Sequence, residues 1–332
     1  MKKISKLKDQ SAGVHQETNS KALSFISAGV ACYAFSLIDE LGMLDTIFKT
    51  GKLPIKTLSS YPNPIILHAA FKTLEKNGII SYSNGHFYLT KLGKSLYNHR
   101  GSVSLIYNGY RNVLSNQFRI ASDEPSQNWG LVDSLAVSKA SISFGEETVN
   151  DMILNTILDT PYRGICDLGC GEATRLYYIC RKLKMHGLGI DISEKSIRKA
   201  KNSLRAKDKI TLTVKDITKL NKTYPEIEIV LQSFVMHDIT GKKFHDTVRS
   251  FHSTFSNMKM FIYIDAFAPD DNCPIQLPGF DYVHSLLNIK TRTRGETLLL
   301  LRKAGFHLIK ETSIPELPNC YMWVLTPSVH SA

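Results

Sequence analysis

The second half of the chain alternates between strand and helix patterns, and this alternation limits the possible folds more than any other feature. Short runs of apolar and β-branched residues after Tyr162 predict seven strands. They are Gly164–Leu168, Gly187–Asp191, Ile210–Val214, Ile227–Ser233, Met258–Asp265, His307–Thr312 and Tyr321–Thr326. Helical patterns fit between them at Ala173–Leu183, Glu194–Ala206, Lys242–Thr254 and Val283–Ala304. We therefore expect an α/β fold with a doubly wound, seven-stranded, Rossmann-like sheet.

The chain before this sheet has a mostly helical pattern that ends in a small hairpin. Apolar residues recur at helical spacing from Lys21, and Asn77-Gly78 stops a helix that begins near Asn63. Two short strand patterns then flank Ser83-Asn84-Gly85, which carries the Asn-Gly signal of a tight hairpin turn. Helices followed by a two-stranded wing are typical of a winged-helix domain.

A winged helix suggests DNA binding, but the candidate recognition helix argues against it. Residues 63–76 carry only Lys72 and Lys76 as cations, among mostly apolar side chains. A helix that reads base edges needs an exposed face of Arg, Asn or Gln. The net charge of +11 does not change this conclusion, because the basic residues are scattered and form no stripe. We expect the domain to serve in dimerisation and no nucleic acid to bind.

The length of 332 residues allows two domains, and the patterns divide the chain into four segments. They are a flexible N-terminus (1–20), a winged-helix dimerisation domain (21–98), a helical linker over the active site (99–160) and the sheet domain (161–332). The six cysteines lack CxxC spacing, which predicts reduced thiols. Residues 1–20 lack the apolar core of a signal peptide, and no run of ~18 apolar residues predicts a transmembrane helix. These features favour a cytoplasmic protein with no membrane partner.

The turn after the first strand of the sheet indicates the cofactor. It reads Asp167-Leu-Gly-Cys-Gly-Glu-Ala, with one acid before the two glycines and another after them. A dinucleotide-binding turn places pyrophosphate at the start of the next helix, and carboxylates on both sides would repel it. They suit a ligand that is cationic at sulfur and at an ammonium group, as S-adenosylmethionine is. Gly169 and Gly171 let the backbone approach the ligand without a Cβ atom.

Acidic residues also follow the next two predicted strands. Asp191 stands where a carboxylate can bind two ribose hydroxyls. Asp216 can accept a hydrogen bond from the adenine amino group, with Ile217 beside the ring. Because the carboxyl ends of parallel strands share one edge of a sheet, these acids should face one ligand. The predicted cofactor residues are Asp167, Gly169, Cys170, Gly171, Asp191, Ile192, Asp216, Ile217 and Ser233.

On these motifs, residues 162–326 resemble the class I S-adenosylmethionine-dependent methyltransferases. With the winged-helix pattern in front, nearly the whole chain resembles the dimeric small-molecule O-methyltransferases. The resemblance implies transfer of a methyl group from S-adenosylmethionine to a small acceptor molecule. It also implies a homodimer built largely through the N-terminal helices.

The pair His237-Asp238, just after the fourth predicted strand, is expected to act on the acceptor. His237 could be a general base that deprotonates a phenol or enol hydroxyl, as in O-methyltransferases of this architecture. The Trp that often follows the pair in that family is absent. Alternatively, the pair binds a metal together with His284, because loops after neighbouring strands converge and two His with one carboxylate form a facial triad. A structural role, with His237 starting a helix that Asp238 caps, is the third interpretation.

The pairing of Phe-Val-Met-His-Asp at 234–238 with Phe-Asp-Tyr-Val-His at 280–284 resembles a narrower family. These are the C-methyltransferases of 2-oxo acids, which include the phenylpyruvate and 2-ketoarginine methyltransferases. The resemblance implies iron or a similar divalent or ferric ion, held by His237, Asp238 and His284. It also implies an anionic acceptor, with candidate substrate residues Tyr107, Tyr110, Arg111 and Arg119.

Three functions therefore stay open on the sequence. The first is metal-assisted C-methylation of the β-carbon of a small 2-oxo acid through an enolate. The second is metal-independent O-methylation of a small aromatic or polyketide hydroxyl, with His237 as the base. His284 separates these two, because the second gives it no task. The third is a winged-helix regulator that only senses S-adenosylmethionine, and the retained His-Asp pair argues against it.

Overall fold

The computed structural model describes residues 2–143, 146–270, 277, 279–315 and 317–328. It divides into two compact units, Met1–Val103 and Ser104–Ala332. The helices of the first unit are α1 (Lys2–Glu40), α2 (Met43–Thr50), α3 (Pro64–Lys76), α4 (Lys91–Asn98) and α5 (Arg100–Ser104), which ends one residue into the second unit. Its strands are β1 (Leu53–Pro54), β2 (Ile80–Ser83) and β3 (His86–Leu89).

The first unit is a winged helix, as predicted. β2 and β3 pair as the expected antiparallel hairpin, and β1 adds a strand on the other side of β3. Asn84 and Gly85 both have positive φ, at 48° and 74°, which is the backbone that a tight two-residue hairpin turn needs. Phe35 of α1 and Phe71 of α3 belong to one buried core with Phe87 of the wing.

Helix α1 differs from the sequence prediction in two respects. It begins at Lys2, within the segment predicted as a flexible N-terminus. Its part from Ser20 to Glu40 is also long and apolar enough to cross a membrane, with a mean hydropathy of 1.6, by length and composition only. The sequence prediction required an unbroken apolar run, whereas serines interrupt the apolar residues here and only the average is high.

The second unit carries the sheet. Its helices are α6 (Arg111–Ser115), α7 (Gln117–Ser122), α8 (Ser134–Ile142), α9 (Glu146–Ile157), α10 (Thr174–Leu183), α11 (Glu194–Asn202), α12 (Gly241–Thr254), α13 (Phe280–Leu286) and α14 (Arg294–Lys303). Its strands are β4 (Gly164–Leu168), β5 (His186–Asp191), β6 (Ile210–Val214), β7 (Ile229–Ser233), β8 (Met260–Ala266), β9 (Phe306–Ser313) and β10 (Cys320–Pro327). A π-helical turn, Leu105–Gly109, precedes α6.

Within the described residues, seven strands form the predicted sheet in the order β6-β5-β4-β7-β8-β10-β9. β10 runs antiparallel to both of its neighbours, and the pairs among β4 to β8 are parallel. Side chains of β4 alternate between two apolar cores: Ile165 belongs to the core on one face, and Cys166 and Leu168 to the core on the other. The order reverses between β4 and β7, which opens a crevice at the carboxyl ends of these strands.

The single helix predicted over Val283–Ala304 is wrong, because the chain forms two helices there. α13 ends at Leu286, and Asn288 then takes a left-handed backbone conformation with φ of 56°. Thr293 starts α14 with a capping box, in which its side chain accepts from the backbone of Glu296 and that glutamate accepts from the backbone of Thr293. The capping box satisfies backbone N–H groups at a new helix start, so it favours the break.

Candidate active site

A cavity of about 670 Å³ lies at the carboxyl ends of the parallel strands. All the cofactor residues predicted from the sequence line it: Asp167, Gly169, Cys170, Gly171, Asp191, Ile192, Asp216, Ile217 and Ser233. The segment from Trp129 to Ser141, which the sequence places in a linker over the active site, lines it as well. The same cavity is thus lined by residues at the strand ends and by residues of the linker.

The turn between β4 and α10 needs its glycines for steric reasons. Gly169 and Gly171 both have positive φ, at 73° and 53°. A Cβ atom on Gly169 would lie 2.3 Å from Cγ2 of Val235, in the loop after β7. The N–H of Gly169 donates to the carbonyl oxygen of Ile190 at 2.7 Å, which fixes the turn against β5. A side chain at position 169 would therefore displace the wall of the cavity.

The carboxylates after β5 and β6 hold local backbone groups in this structure. Asp191 accepts from the N–H of Gly171 at 2.8 Å and from the N–H of Ser193 at 2.7 Å. Asp216 accepts from the N–H of Thr218 at 2.9 Å. Both line the cavity while they orient the turns beside them. Their positions are thus rigidly set at the edge where a ligand would lie.

Glu172 was predicted to face the ligand as a second acid, and the structure places it elsewhere. Its carboxylate pairs with Nζ of Lys199 on α11 at 2.6 Å. It is absent from the described lining of the cavity. The acidic character of this site therefore comes from the strand ends and not from the start of α10.

Asp167 is buried at the end of β4, with 3% of its surface exposed. Burial raises the pKa of its carboxyl to about 7, against the opposing effect of the Arg175 guanidinium and with a further increase from Asp191. Arg175 was not predicted from the sequence. It lies in the first turn of α10, and only its place directly after the glycine turn could have drawn attention to it.

His237, Asp238 and His284 converge as the metal-binding interpretation requires. Nε2 of His237 lies 3.6 Å from Oδ1 of Asp238, and Nε2 of His284 lies 3.5 Å from the same oxygen. One potential ligand atom from each residue lies within 4.8 Å of the others. The loop after β7 supplies the first two residues, and α13, which follows β8 in the chain, supplies the third.

Asp265, at the end of β8, orients His237. It was not predicted from the sequence. It is fully buried, and its carboxylate accepts from the backbone N–H of His237 at 3.1 Å and contacts Nδ1 of the same ring. Burial alone would lower the pKa of His237, but the charges of Asp265 and Asp238 outweigh it and raise the pKa above its usual 6.5. Nδ1 therefore carries a proton towards Asp265, and Nε2 faces Asp238.

His284 is held in the complementary tautomer by the backbone of its own helix. Its Nδ1 lies 2.6 Å from the carbonyl oxygen of Phe280, so Nδ1 donates and Nε2 keeps its lone pair. Burial, and then the neighbouring charge of His237, lower the pKa of His284 to about 3. The ring is thus neutral at physiological pH, as a metal ligand must be.

Two polar atoms of this cluster are buried without a hydrogen-bond partner among the described residues: Oδ1 of Asp238 and Nε2 of His284. A buried polar atom without a partner costs about 1–3 kcal/mol. Burial also raises the pKa of Asp238 to about 6, with the charge of His237 opposing and that of Asp265 adding to the increase. Buried polar atoms are normally paired, and one ion or ordered water shared by these two atoms would satisfy both.

The four predicted substrate residues lie in different places. Tyr110 is buried, and its ring centre lies 6.2 Å from that of His284. Tyr107 is half-buried on the π-helical turn. Arg111 and Arg119 are exposed, and neither belongs to the described lining of the cavity. Arg119 instead pairs with Asp123 one turn later on the surface, at 3.1 Å, so the structure does not bring either arginine to the site.

Comparisons with known proteins identify the kind of domain that carries this cavity. Residues 165–256 match the model of the methyltransferase domain family. The chain is 29% identical over 317 residues to the indolepyruvate C-methyltransferase of Streptomyces griseus, covering 92% of this chain and 94% of that protein.

Solved structures of methyltransferases share the fold at low sequence identity. The mitomycin 7-O-methyltransferase MmcR has a TM-score of 0.66 at 12% identity, covering 96% of this chain and 100% of that one. Human N-acetylserotonin methyltransferase, solved with S-adenosylmethionine, has a TM-score of 0.68 at 14% identity, covering 94% and 97%. The matched methyltransferase domain and the indolepyruvate C-methyltransferase relative support an S-adenosylmethionine-dependent methyltransferase, and the solved structures show that the chain has the class I fold with a winged-helix domain at its N-terminus.

Proposed function

We propose that this methyltransferase transfers the methyl group to the β-carbon of a small 2-oxo acid, with a metal ion held by His237, Asp238 and His284. The observation that carries the proposal is the cluster itself. Its potential ligand atoms lie within 4.8 Å of one another, and two of them are buried without a hydrogen-bond partner among the described residues. O-methylation does not need the third member, His284.

The donor set fits iron or a related divalent or ferric ion. Two imidazoles and one carboxylate form a facial triad that leaves positions open for other ligands. The separations of 3.5 and 3.6 Å are too long for hydrogen bonds. They suit atoms that converge on one ion, each at about 2.0–2.2 Å. Both rings present Nε2 to this point, because Asp265 and the carbonyl of Phe280 occupy their Nδ1 atoms.

The overall reaction has to break the β C–H bond of the acceptor and the S–CH₃ bond of the donor. It forms one C–C bond and releases S-adenosylhomocysteine and a proton. The β-carbon becomes nucleophilic once its proton has left and an enolate has formed. A Lewis-acid cation at the triad would make this step easier by binding the keto and carboxylate oxygens of the acceptor.

Several apolar side chains of this chain line the cavity in which the acceptor would bind. Trp129, Val132 and Val137 of the linker and Val235 and Ile239 of the loop after β7 line the same cavity as Asp238. Such a wall suits an acceptor with an apolar side chain and excludes water from the reacting carbon. The 29% identity to an indolepyruvate C-methyltransferase supports the same class of acceptor.

The alternative is metal-independent O-methylation with His237 as the base. The contact of His237 with Asp265 favours it, because a carboxylate that orients an imidazole is a common arrangement in general-base catalysis. The buried Nε2 of His284 argues against it, because a base at His237 gives this atom no partner among the described residues. His284 would also have no task.

The experiment that tests the proposal offers 2-oxo acids and phenols with S-adenosylmethionine, with and without a chelator, and locates the new methyl by mass spectrometry. We expect a C-methylated 2-oxo acid, near-stoichiometric metal in the purified protein, and loss of both in His284→Ala. His245→Ala, at a partly exposed histidine on α12, is the matched control and should keep both. Full activity of the metal-free protein, or methylation only at oxygen, would overturn the proposal.

We also propose that the enzyme is a homodimer formed through α1. This helix exposes Leu23, Phe25, Ile26 and Val30, with between 56% and 84% of each residue accessible. Leu23, Ile26 and Val30 share one face of the helix at i, i+3 and i+7, and an exposed apolar face of this kind marks an interaction site. A cytoplasmic location stays a prediction, supported by the free thiols of Cys32, Cys166, Cys170, Cys180 and Cys320.

A further inference from the structure

The carboxylates predicted from the sequence account for only part of S-adenosylmethionine. Its methionyl end carries an ammonium group and a carboxylate, and the sulfur carries a further positive charge. Asp167, Asp191 and Asp216 suit the ammonium group, the ribose hydroxyls and the adenine amino group. A cavity lined with acids would repel the ligand's carboxylate unless a cation were present at the same end.

Three cationic side chains line the described part of the cavity, and only one is near Asp167. Lys215 lies directly before Asp216, and the charge of Lys243 acts on that same carboxyl. Both therefore belong to the adenine end. Arg175 instead contacts Ser233 at the end of β7, the strand paired with β4, and its charge acts on Asp167 at the end of β4, so the guanidinium lies at the methionyl end.

Two neighbours fix the orientation of this guanidinium. Its Nε donates to Oδ1 of Asn150 at 3.1 Å, and its Nη1 donates to Oγ of Ser233 at 2.5 Å. Asn150 lies on α9 and is buried, with 4% of its surface exposed, and Ser233 ends β7. Arginine combines a permanent charge with a planar set of donors, and that geometry matches a carboxylate.

We infer that Arg175 binds the carboxylate of the methionyl group of S-adenosylmethionine, in a plane set by Asn150 and Ser233. Asp167 then binds the adjacent ammonium group. The carboxylate and the ammonium group of the methionyl end are thus each paired with a protein group of opposite charge. The inference rests on the cofactor alone and is independent of the acceptor and of any metal.

The test compares two ligands that differ only in this carboxylate: S-adenosylmethionine and decarboxylated S-adenosylmethionine. Affinities are measured by calorimetry for the wild type, Arg175→Met and Arg175→Lys. Loss of a charge-assisted bond should weaken binding of S-adenosylmethionine to Arg175→Met by roughly 10- to 100-fold. Binding of the decarboxylated ligand should change by less than about threefold or improve, because no carboxylate is left to pair. Arg175→Lys should recover part of the difference.

Arg198→Met is the matched control, since it removes the same charge from an exposed position on α11. It should leave both affinities unchanged. Retained binding of the decarboxylated ligand also shows that Arg175→Met is folded. An equal loss for both ligands would assign Arg175 a structural role and overturn the inference. Unchanged affinity of Arg175→Met for S-adenosylmethionine would overturn it as well.

Discussion

Asp167 is the residue at which burial and function oppose each other most directly. Its carboxyl has to be ionised to attract the cationic end of the cofactor, yet burial favours the neutral acid. With a pKa raised to about 7, the free protein holds this proton over part of the physiological range. Cofactor binding then has to displace the proton, which links affinity to pH.

The sign of this linkage gives a prediction. Below pH 7 the proton and the cationic ligand compete, so affinity for S-adenosylmethionine should fall about tenfold for each pH unit and level off above 7. Calorimetry between pH 5.5 and 7.5 measures this, a range in which the ligand's amino group stays mostly protonated. Asp167→Asn should bind more weakly with no such slope. A flat affinity in the wild type would contradict the raised pKa of Asp167.

The residues that sequence reasoning found and missed differ in one respect. Asp167 and His237 stand in short patterns whose spacing itself indicates chemistry. Asp265 acts on a residue 28 positions away, and Arg175 acts on Ser233, 58 positions away. A single acid at a strand end, or a single arginine in a helix, has no distinctive spacing. Such residues become recognisable only once the fold brings their partners to them.

Among the structural elements, the loop that carries His237 and Asp238 depends on a residue from another segment. Arg292, between α13 and α14, donates from Nη2 to the carbonyl oxygen of Met236 at 2.7 Å and from Nη1 to that of Ile239 at 2.6 Å. Its guanidinium also stacks on the ring of Phe244, with 4.1 Å to the ring centre. These carbonyls flank the His-Asp pair, so Arg292 fixes both ends of the turn.

Arg292→Lys should therefore loosen the proposed metal site of His237, Asp238 and His284 while leaving the cofactor end intact. Lysine keeps the charge but cannot hold two carbonyls in one plane. We expect metal affinity to fall by about tenfold, as for other supports of metal ligands, with unchanged affinity for S-adenosylmethionine. Arg294→Lys is the comparison, because Arg294 contacts Tyr321 and Glu311. Equal metal affinity in the wild type and Arg292→Lys would show that the turn holds its shape without this arginine.

Elements were predictable from the sequence wherever the hydrophobic pattern was continuous. The strands from Gly164 to Ser233 and the wing of the first unit needed only that pattern and the turn residues. The break between α13 and α14 was not predicted, because apolar residues on both sides of it keep helical spacing. Backbone geometry at Asn288 and the capping box of Thr293 decide the break, and neither alters the hydrophobic period.

On the scale of the whole molecule, the exposed apolar face of α1 is the basis of the proposed dimer. Replacing Ile26 and Val30 by glutamate should convert a dimer into a monomer, since buried charges without partners oppose association. Light scattering after size-exclusion chromatography measures the mass at several concentrations. Leu299→Glu, at an exposed apolar residue of α14, should leave the mass unchanged. A wild type that is monomeric throughout would contradict the proposed dimer.

The reversal of strand order between β4 and β7 has a consequence for how such enzymes can diverge. β4, β5 and β6, on one side of it, are followed by the predicted donor-binding turns. The proposed acceptor residues follow β7 and β8, on the other side. Apart from Ser233 at the end of β7 and the linker before β4, the two halves of the proposed reaction are thus encoded in separate stretches of sequence. Changes confined to the loops after β7 and β8 would therefore alter the acceptor while they leave the turns predicted to bind the methyl donor intact.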